Sequence, residues 1–547
     1  MRVSGEKHRI KELFSTMKPH QRMLSLGCAL LLSAGLLVTG AGAAGRFSMS
    51  YLYFGSPSAY ADRVRQTNGS LQEISPNYFN LNADGSLNVT GTGISDFVEE
   101  MHVMGVRVVP FLSNHWDREL GVKALENRTA LVSQIVQAVK QYDLDGVNID
   151  IENVTHLHRS DYAAFVELLR RKLPRDKILA VAVAANPYGI TQGWHGSYDY
   201  QRLARSADYL MLMTYDEHYQ GGDPGPVASY DFMERSVQYA LKYTTPDKLV
   251  LGLPFFGRIW SDSGALMQGH GVSETQVQSL IAQYRGQVAQ DPASGSARAS
   301  ITVTAADSKP TINGITLTPG SYTIWYESEE SKKRQLGLVE EYDLLGAGSW
   351  SLGQESAGTW SYYSLWLNGL PYGDAQGHWA VPYIIQAARS GLMTGISPTA
   401  FAPEQTLTRA EAAVVLYRLL SLTAAPAGHP DFADAAGHWA RDYIRAAHYH
   451  GLVSGVGEDR YDPDRPLSRQ ELAVMLDHAL SDGGAVSGEN PFSDISPSGS
   501  PWSYEAILRL HQAGIVSGYG DGTFRPEAEV RRAELAVMLA NAGRSSL

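Results

Sequence analysis

Cysteine is nearly missing. Cys28 is the only one in 547 residues, and it sits inside the apolar stretch from Met23 to Thr39. Disulfides therefore stabilise nothing within this chain. Basic residues are also in the minority: 45 Lys and Arg stand against 57 Asp and Glu, for a formal charge of −12. Such a balance supplies no basic footprint for a phosphate backbone, which excludes nucleic acid as the partner. Histidines 156, 158, 195 and 218 are scattered without the spacing of a ligand set, so neither a metal nor a cofactor is expected.

What is present begins with a targeting signal. Arg2, Lys7, Arg9, Lys11, Lys18 and Arg22 precede the apolar core LSLGCALLLSAGLLV, which is followed by Ala41-Gly42-Ala43. That order predicts a signal peptide over residues 1–43, export, and no membrane contact after cleavage. The other reading is a retained anchor, since the run is near the lower limit of roughly 17 to 25 residues for a span. A lipid on Cys28 does not fit, because the cysteine lies early in the run. Removing this basic segment leaves a charge of about −16. The remaining length, with 44% hydrophobic and 10% aromatic residues, is enough for several globular units.

The last third repeats itself. YGDAQGHWA, FADAAGHWA and FSDISPSGSPWS place Asp374, Asp434 and Asp494 at intervals of 60 residues. LTRAEAAVVLYRLL, LSRQELAVMLDHAL and VRRAELAVMLANA place Arg409, Arg469 and Arg532 at 60 and then 63, so the third copy has three extra residues, assigned to its SPSGSPW loop. Each copy predicts two helices, the second opening behind a capping residue and a Glu. These units resemble S-layer homology domains, and repeats are expected over 369–421, 429–481 and 490–547.

Ahead of the repeats, eight apolar runs alternate with helical stretches. They are 47–55, 74–82, 106–114, 145–153, 177–185, 208–216, 248–256 and 344–352. This pattern predicts an α/β (β/α)8 TIM barrel over 46–366. The widest gap, about 261–335, is polar and β-rich and predicts a small α+β insertion between the last two strands, on the active-site side. The fold expected for the whole chain is that barrel followed by an all-α array.

One stretch carries the chemistry. In DGVNIDIEN, Val147, Ile149 and Ile151 alternate with Asn148, Asp150 and Glu152. A barrel strand is covered outside by helices, so the apolar set faces out and the polar set faces in. Two carboxylates and an amide inside a barrel cost several kcal/mol unless hydrogen-bonded or needed. Carboxylates at i and i+2 repel, which should raise one pKa and make Glu152 a protonated acid beside Asp150.

DGVNIDIE resembles the D-G-x-D-x-D-x-E signature of glycoside hydrolase family 18. MLMTYD at 211–216, KLVLGLPFFGRIW from 248 and GAGSWSLGQE from 346 match further elements of that family in order. The resemblance implies substrate-assisted retaining hydrolysis of β-1,4 bonds in N-acetylglucosamine polymers, chitin or peptidoglycan, in which the sugar's own acetamide attacks. It further implies Glu152 as the acid, Asp150 orienting the acetamide, and Tyr215 bonding its oxygen. Met213 and Asp216 would lie in the subsite, Trp350 would form its floor, and Asp145 and Asn148 would complete the substrate-binding set. Asn148 stands where the family usually has Asp. An amide can bond Asp150 but cannot exchange a proton with it, and the pattern is similar to the spore-cortex branch, which favours peptidoglycan. The alternative is a non-catalytic lectin-like surface protein.

The second resemblance implies binding to a secondary cell-wall polysaccharide and hence attachment to a bacterial wall. Arg409, Arg469 and Arg532 at helix N-termini are expected to meet its carboxylates. Trp379, Trp439 and Trp502 either pack beside a sugar ring or anchor the first helix in the core.

Overall fold

The computed structural model describes residues 45–263, 267–481, 483–486 and 488–545, so the expected signal peptide lies outside the described residues. Two compact units are present, residues 45–370 and 371–545. Among the described residues no helix is long and apolar enough to cross a membrane.

The first unit is built on strands β1 (Phe47–Leu52), β2 (Glu73–Pro76), β3 (Phe79–Leu81), β4 (Leu87–Val89), β5 (Arg107–Val108), β6 (Phe111–Ser113), β7 (Gly146–Asp150), β8 (Ile178–Ala184), β9 (Tyr209–Met213) and β10 (Leu249–Pro254). A later group comprises β11 (Phe256–Ser261), β12 (Gln268–Ser273), β13 (Gln287–Gln290), β14 (Ala297–Val303), β15 (Thr311–Ile312), β16 (Ile315–Thr316) and β17 (Gly320–Tyr326), and β18 (Gly346–Trp350) ends the series. The main sheet runs β4-β3-β6-β7-β8-β9-β10-β18-β1-β2-β5. Its two ends meet, because β5 and β6 are halves of one strand broken at Val109-Pro110, where proline has no N–H for the ladder. β5 pairs with β2, while β6 pairs with β7 in parallel. The broken strand thus bridges both edges, and the result is TIM-barrel-like.

Strand alternation sorts the side chains into two cores. Val147, Ile149 and Ile151 are fully buried outside the sheet. They share a cluster with residues of helix α1 (Arg128–Gln141), such as Ile135, and of helix α2 (Arg159–Lys172), such as Phe165. Met49, Tyr51, Phe111, Tyr209, Met211 and Val250 form a separate cluster with partly buried Trp350 and Tyr215 packed against it. Burial of a large apolar side chain contributes about 2 kcal/mol, so the two layers account for much of the unit's cohesion.

Between β10 and β18 the chain builds a second, antiparallel sheet in the order β12-β11-β17-β14-β13. It begins at Phe256, ahead of the expected 261, because β11 follows β10 after the single residue Phe255. Ala297, Ala299, Ile301 and Val303 of β14 are buried in one cluster with Val277 and Leu280 of helix α3 (Glu274–Tyr284). β15 and β16 form a hairpin about Asn313-Gly314, both with positive φ, as a tight two-residue turn requires.

Among its described residues the second unit holds six α-helices: α4 (Val381–Arg389), α5 (Arg409–Leu419), α6 (Arg441–Tyr449), α7 (Arg469–Leu480), α8 (Tyr504–Gln512) and α9 (Arg532–Ser545). The second helix of each repeat packs on the first helix of the next: α5 on α6, α7 on α8, and α9 back on α4. The repeated Asp explains itself. Asp374, Asp434 and Asp494 each accept two backbone N–H bonds, from Phe401 and Ala402, Tyr461 and Asp462, and Phe524 and Arg525.

A cyclic set of ion pairs closes the unit. Arg409 reaches Glu471 at 3.0 Å, Arg469 reaches Glu534 at 2.8 Å, and Arg532 reaches Glu411 of the first repeat at 2.9 Å. Each arginine is only 4 to 5% exposed. Removing one partner of a buried pair strands the other charge. Arg532→Met is therefore expected to cost about 3 kcal/mol. Hydrogen exchange on the full chain should show faster exchange in helices of all three repeats, and a loss confined to α9 would contradict the cyclic arrangement.

Candidate active site

Gly146 opens β7 because a Cβ there would lie 2.1 Å from the carbonyl oxygen of Ile178. The close approach lets β7 run between β6 and β8 in register, with Ser113 opposite Asp150. Asn148 and Asp150 are buried, at 0% and 5% exposure, and Glu152 is half-buried. Asp150 sits at the C-terminal end of β7, and Glu152 two residues beyond.

Burial alone pushes the Asp150 carboxyl up to about 7. Glu152 is also raised well above the carboxylate range, first by burial, then by the charges of Asp150 and Asp216. Two carboxyls in one low-dielectric site cannot both ionise readily, so near neutral pH the pair retains a proton. Oδ1 of Asp150 and Oδ1 of Asn148 have no hydrogen-bond partner among the described residues.

The carboxyls open into a cavity of about 630 Å³, also lined by Met213, Tyr215, Asp216 and Trp350. Met213 ends β9, and Tyr215 and Asp216 follow it. Asp216 adopts positive φ, 59°, and accepts from Arg258 Nη2 at 2.7 Å. Burial raises its carboxyl, and the Arg258 guanidinium opposes that. The Trp350 ring lies 5.1 Å from Tyr51 and 5.3 Å from Tyr53.

The inserted segment supplies a wall through Arg258, Gly271 and Ser273 of the second sheet, Gln276 of α3 and Asn313 of the β15–β16 hairpin. It is fastened by a fully buried ion pair between Lys332 and Glu274. Lys332 also donates to Ser356 Oγ at 3.1 Å and Thr359 Oγ1 at 3.3 Å, and the Ser356 N–H donates to Glu274 at 2.8 Å. These bonds tie the start of α3 to the loop after Trp350, whose Gly353 and Gln354 line the same cavity.

Six residues expected at the site are thus brought together: Asp150, Glu152, Met213, Tyr215, Asp216 and Trp350. Two are not. Asp145 precedes β7 at its N-terminal end, roughly 16 Å of strand from Asp150 at about 3.3 Å per residue. It accepts from the Val108 N–H at 2.7 Å and pairs with His102 at 2.8 Å, which makes it a fastening of the barrel floor and not a substrate ligand. Asn148 does not line the cavity either; its Nδ2 donates to the Tyr51 hydroxyl at 2.9 Å instead of bonding Asp150.

The repeat arginines also require correction. Arg409, Arg469 and Arg532 do not face a polymer, because each spends its donors internally. Beside its glutamate, Arg409 donates to Tyr461 O and Ser454 O, Arg469 to Phe524 O and Ser517 O, and Arg532 to Phe401 O and Thr394 O. Their guanidinium groups also lie over the rings of Tyr461, Phe524 and Phe401, within 4.7 to 4.9 Å. The tryptophans behave oppositely. Trp379, Trp439 and Trp502 are 61%, 64% and 55% exposed, so they are not core anchors. Trp502 borders a groove of about 410 Å³ with Arg465, Gln470 and Glu527.

Sequence reasoning missed Tyr51, Arg258 and Asn114. Arg258 stands in the GRIW element, where its spacing from DGVNIDIE gave no hint of contact. Tyr51 lies in an apolar run that reads as core. Asn114 ends the 106–114 run, and the amide in an otherwise apolar strand was the available signal.

Comparison with known proteins gives a match for each of the two units. Residues 114–355 match the glycosyl hydrolases family 18, and residues 371–413, 431–473 and 491–536 match the S-layer homology domain. The chain is 28% identical over 251 residues to the uncharacterized glycosylase YvbX of Bacillus subtilis (strain 168), a match covering 45% of this chain and 69% of that protein. It is 24% identical over 277 residues to the cortical fragment-lytic enzyme of the same organism, covering 49% of this chain and 61% of that one. The crystal structure of a chitinase from Chromobacterium violaceum ATCC 12472 superposes with a TM-score of 0.52 at 24% identity, over 59% of this chain and 99% of that chain, which shows the shared fold. The barrel thus carries a glycosyl hydrolases family 18 domain over residues 114–355, and the C-terminal unit carries three S-layer homology repeats.

Proposed function

We propose that this protein is an exported, wall-attached glycosidase that cleaves β-1,4 bonds next to N-acetylglucosamine, with peptidoglycan as its polymer. The observation that carries the reading is that Asp150, buried, and Glu152, half-buried, line one cavity together with Trp350. Glu152 protonates the glycosidic oxygen and later activates water. Asp150, with Oδ1 free of protein partners, accepts the acetamide N–H and stabilises the cyclic oxazolinium ion as the acetamide oxygen attacks the anomeric carbon. Tyr215 donates to that oxygen, Met213 and Asp216 border the sugar, and Trp350 stacks beneath it.

In this reading residues 1–43 are removed, 46–366 form the catalytic unit with its insertion, and repeats at 369–421, 429–481 and 490–547 hold a secondary cell-wall polysaccharide. The exposed tryptophans carry that contact, and the arginines act indirectly by shaping the unit. The choice of peptidoglycan over chitin is supported by Asn148 and by the similarity to a cortical fragment-lytic enzyme.

Three outcomes test this. Glu152→Gln is expected to lower kcat by about 10²- to 10⁴-fold on a chromogenic chito-oligosaccharide and on purified peptidoglycan. If wild-type protein binds both substrates and turns over neither, the lectin-like alternative replaces the enzyme.

The general acid works while protonated, so kcat/KM should fall as pH rises through the raised pKa of Glu152. Asp150→Asn removes the neighbouring charge that lifts that value, and the basic limb should move to lower pH, alongside a large loss of kcat. A limb that stays in place in this variant would mean that another group is the acid.

Trp439→Ala and Trp502→Ala should each weaken pull-down on isolated wall polysaccharide by about tenfold, roughly 1.4 kcal/mol. Because both rings are exposed, thermal stability should be unchanged. Unaltered binding in the double variant would remove the tryptophans from the interface.

A further inference from the structure

The chain around the acid is cross-bonded beyond the end of the sheet. The β6–β7 ladder ends with Ser113 opposite Asp150, so Glu152 has no strand neighbour there to fix its backbone. Asn114, fully buried, takes that neighbour's place. Its Oδ1 accepts the Glu152 N–H at 2.8 Å and its Nδ2 donates to the Glu152 carbonyl at 2.9 Å. One amide thereby satisfies both backbone groups of the residue whose carboxyl enters the cavity.

Further bonds hold the amide and the next residue. Asn114 Nδ2 also donates to Asp117 O at 2.6 Å, and Asp117 accepts from Leu120 N at 3.0 Å, capping the helix Arg118–Glu126. Gly121 of that helix sits so near that a Cβ would lie 2.8 Å from Asn114 Nδ2. On the solvent side Asn153, at φ 59°, donates to Trp116 O at 2.8 Å. Arg118 donates to Asn153 O at 2.8 Å and to its Oδ1 at 2.9 Å.

We propose that Asn114 is a positioning residue for the acid: its two-point grip on the Glu152 backbone, reinforced through Arg118 and Asn153, sets where the carboxyl stands in the cavity. This rests on the assignment of Glu152 as the proton donor. Proton transfer needs the donor within hydrogen-bond reach of the glycosidic oxygen, and a residue past the last ladder bond drifts without such a grip. The carboxyl is faced by Asp150 on its own strand, Asp216 after β9, Tyr51 of β1, Tyr162 of α2, and Tyr198 and Tyr215 on loops. None of these is altered by replacing Asn114, so a changed titration reports the position of Glu152 itself.

The test is Asn114→Ala in the full chain, assayed on a soluble chromogenic chito-oligosaccharide. The expected result is a kcat about 100-fold lower, from misplacement on the order of 1 Å, with KM nearly unchanged because the lost grip acts on the transition state. The basic limb of kcat/KM should also move to lower pH as the loosened carboxyl gains water. A folded variant that keeps wild-type kcat and the wild-type limb overturns the proposal. Should Asn114→Ala fail to fold, Arg118→Met, at an exposed position, decides: a kcat lowered by about tenfold at constant KM supports the grip, and an unchanged kcat overturns it. Glu152→Gln separates the two assignments, since full activity in that variant sinks the acid role itself, whereas an inactive Glu152→Gln beside a fully active Asn114→Ala sinks only the positioning role.

Discussion

The whole catalytic unit is organised around the burial of a polar strand face inside a closed sheet. Charges and amides on β7 have no bulk water to solvate them, so the barrel must satisfy or exploit each one. The solutions differ with depth. At the N-terminal end Asp145 is bonded to backbone and to His102, and one layer in, Asn148 donates to Tyr51. Asn148 keeps its Oδ1 without a partner, and at the C-terminal end, with Asp150 and Glu152, the polarity is turned toward a cavity. A gradient from satisfied to unsatisfied groups along one strand is what distinguishes a site from a stabilising network.

The second sheet makes that gradient useful. A bare barrel mouth would leave the carboxyls in water, where their pKa values relax and their interactions weaken. The wall from β11, β12 and the β15–β16 hairpin narrows the mouth into a cavity. Its fastening through Lys332 and Glu274 is itself a buried ion pair, costly to desolvate and weak evidence for stability alone. Its value lies in geometry: three segments, the start of α3, the helix carrying Lys332 and the loop after Trp350, are held to one point. The surroundings of Glu152 are therefore set by elements distant in sequence from DGVNIDIEN.

That distance explains what could be read from the sequence. The eight strands and the inward face of β7 were legible because period-two alternation leaves a direct mark, and the repeats were legible because they recur at fixed intervals. Contacts between segments left no such mark. Nothing local says that Arg258 meets Asp216, or that Asn114 reaches across to Glu152. Asp145 misled for a related reason: it belongs to the same short motif as the carboxyls, yet the rise of a strand carries it to the other end of the barrel. The repeat arginines misled because a guanidinium at a helix N-terminus suits a bound carboxylate, and here the carboxylate is Glu471, Glu534 or Glu411 of the adjoining repeat. For the arginines, recurrence was a signature of mutual packing, whereas the three tryptophans stand exposed at the surface.

Asn148 bears on the ionisation of the carboxyl pair. A carboxyl at this position could take up or release a proton and so share the charge of Asp150 with a deeper layer. The amide cannot, and its Nδ2 is committed to Tyr51. The ionisation of the pair is then left to burial, which raises both carboxyls, and to the charges of Asp150 and Asp216, which raise Glu152 further. Within this low-dielectric site Asp150 ionises readily only while Glu152 remains protonated. An Asn in place of Asp in the interior thereby leaves proton exchange to the carboxyls that line the cavity, Asp150, Glu152 and Asp216.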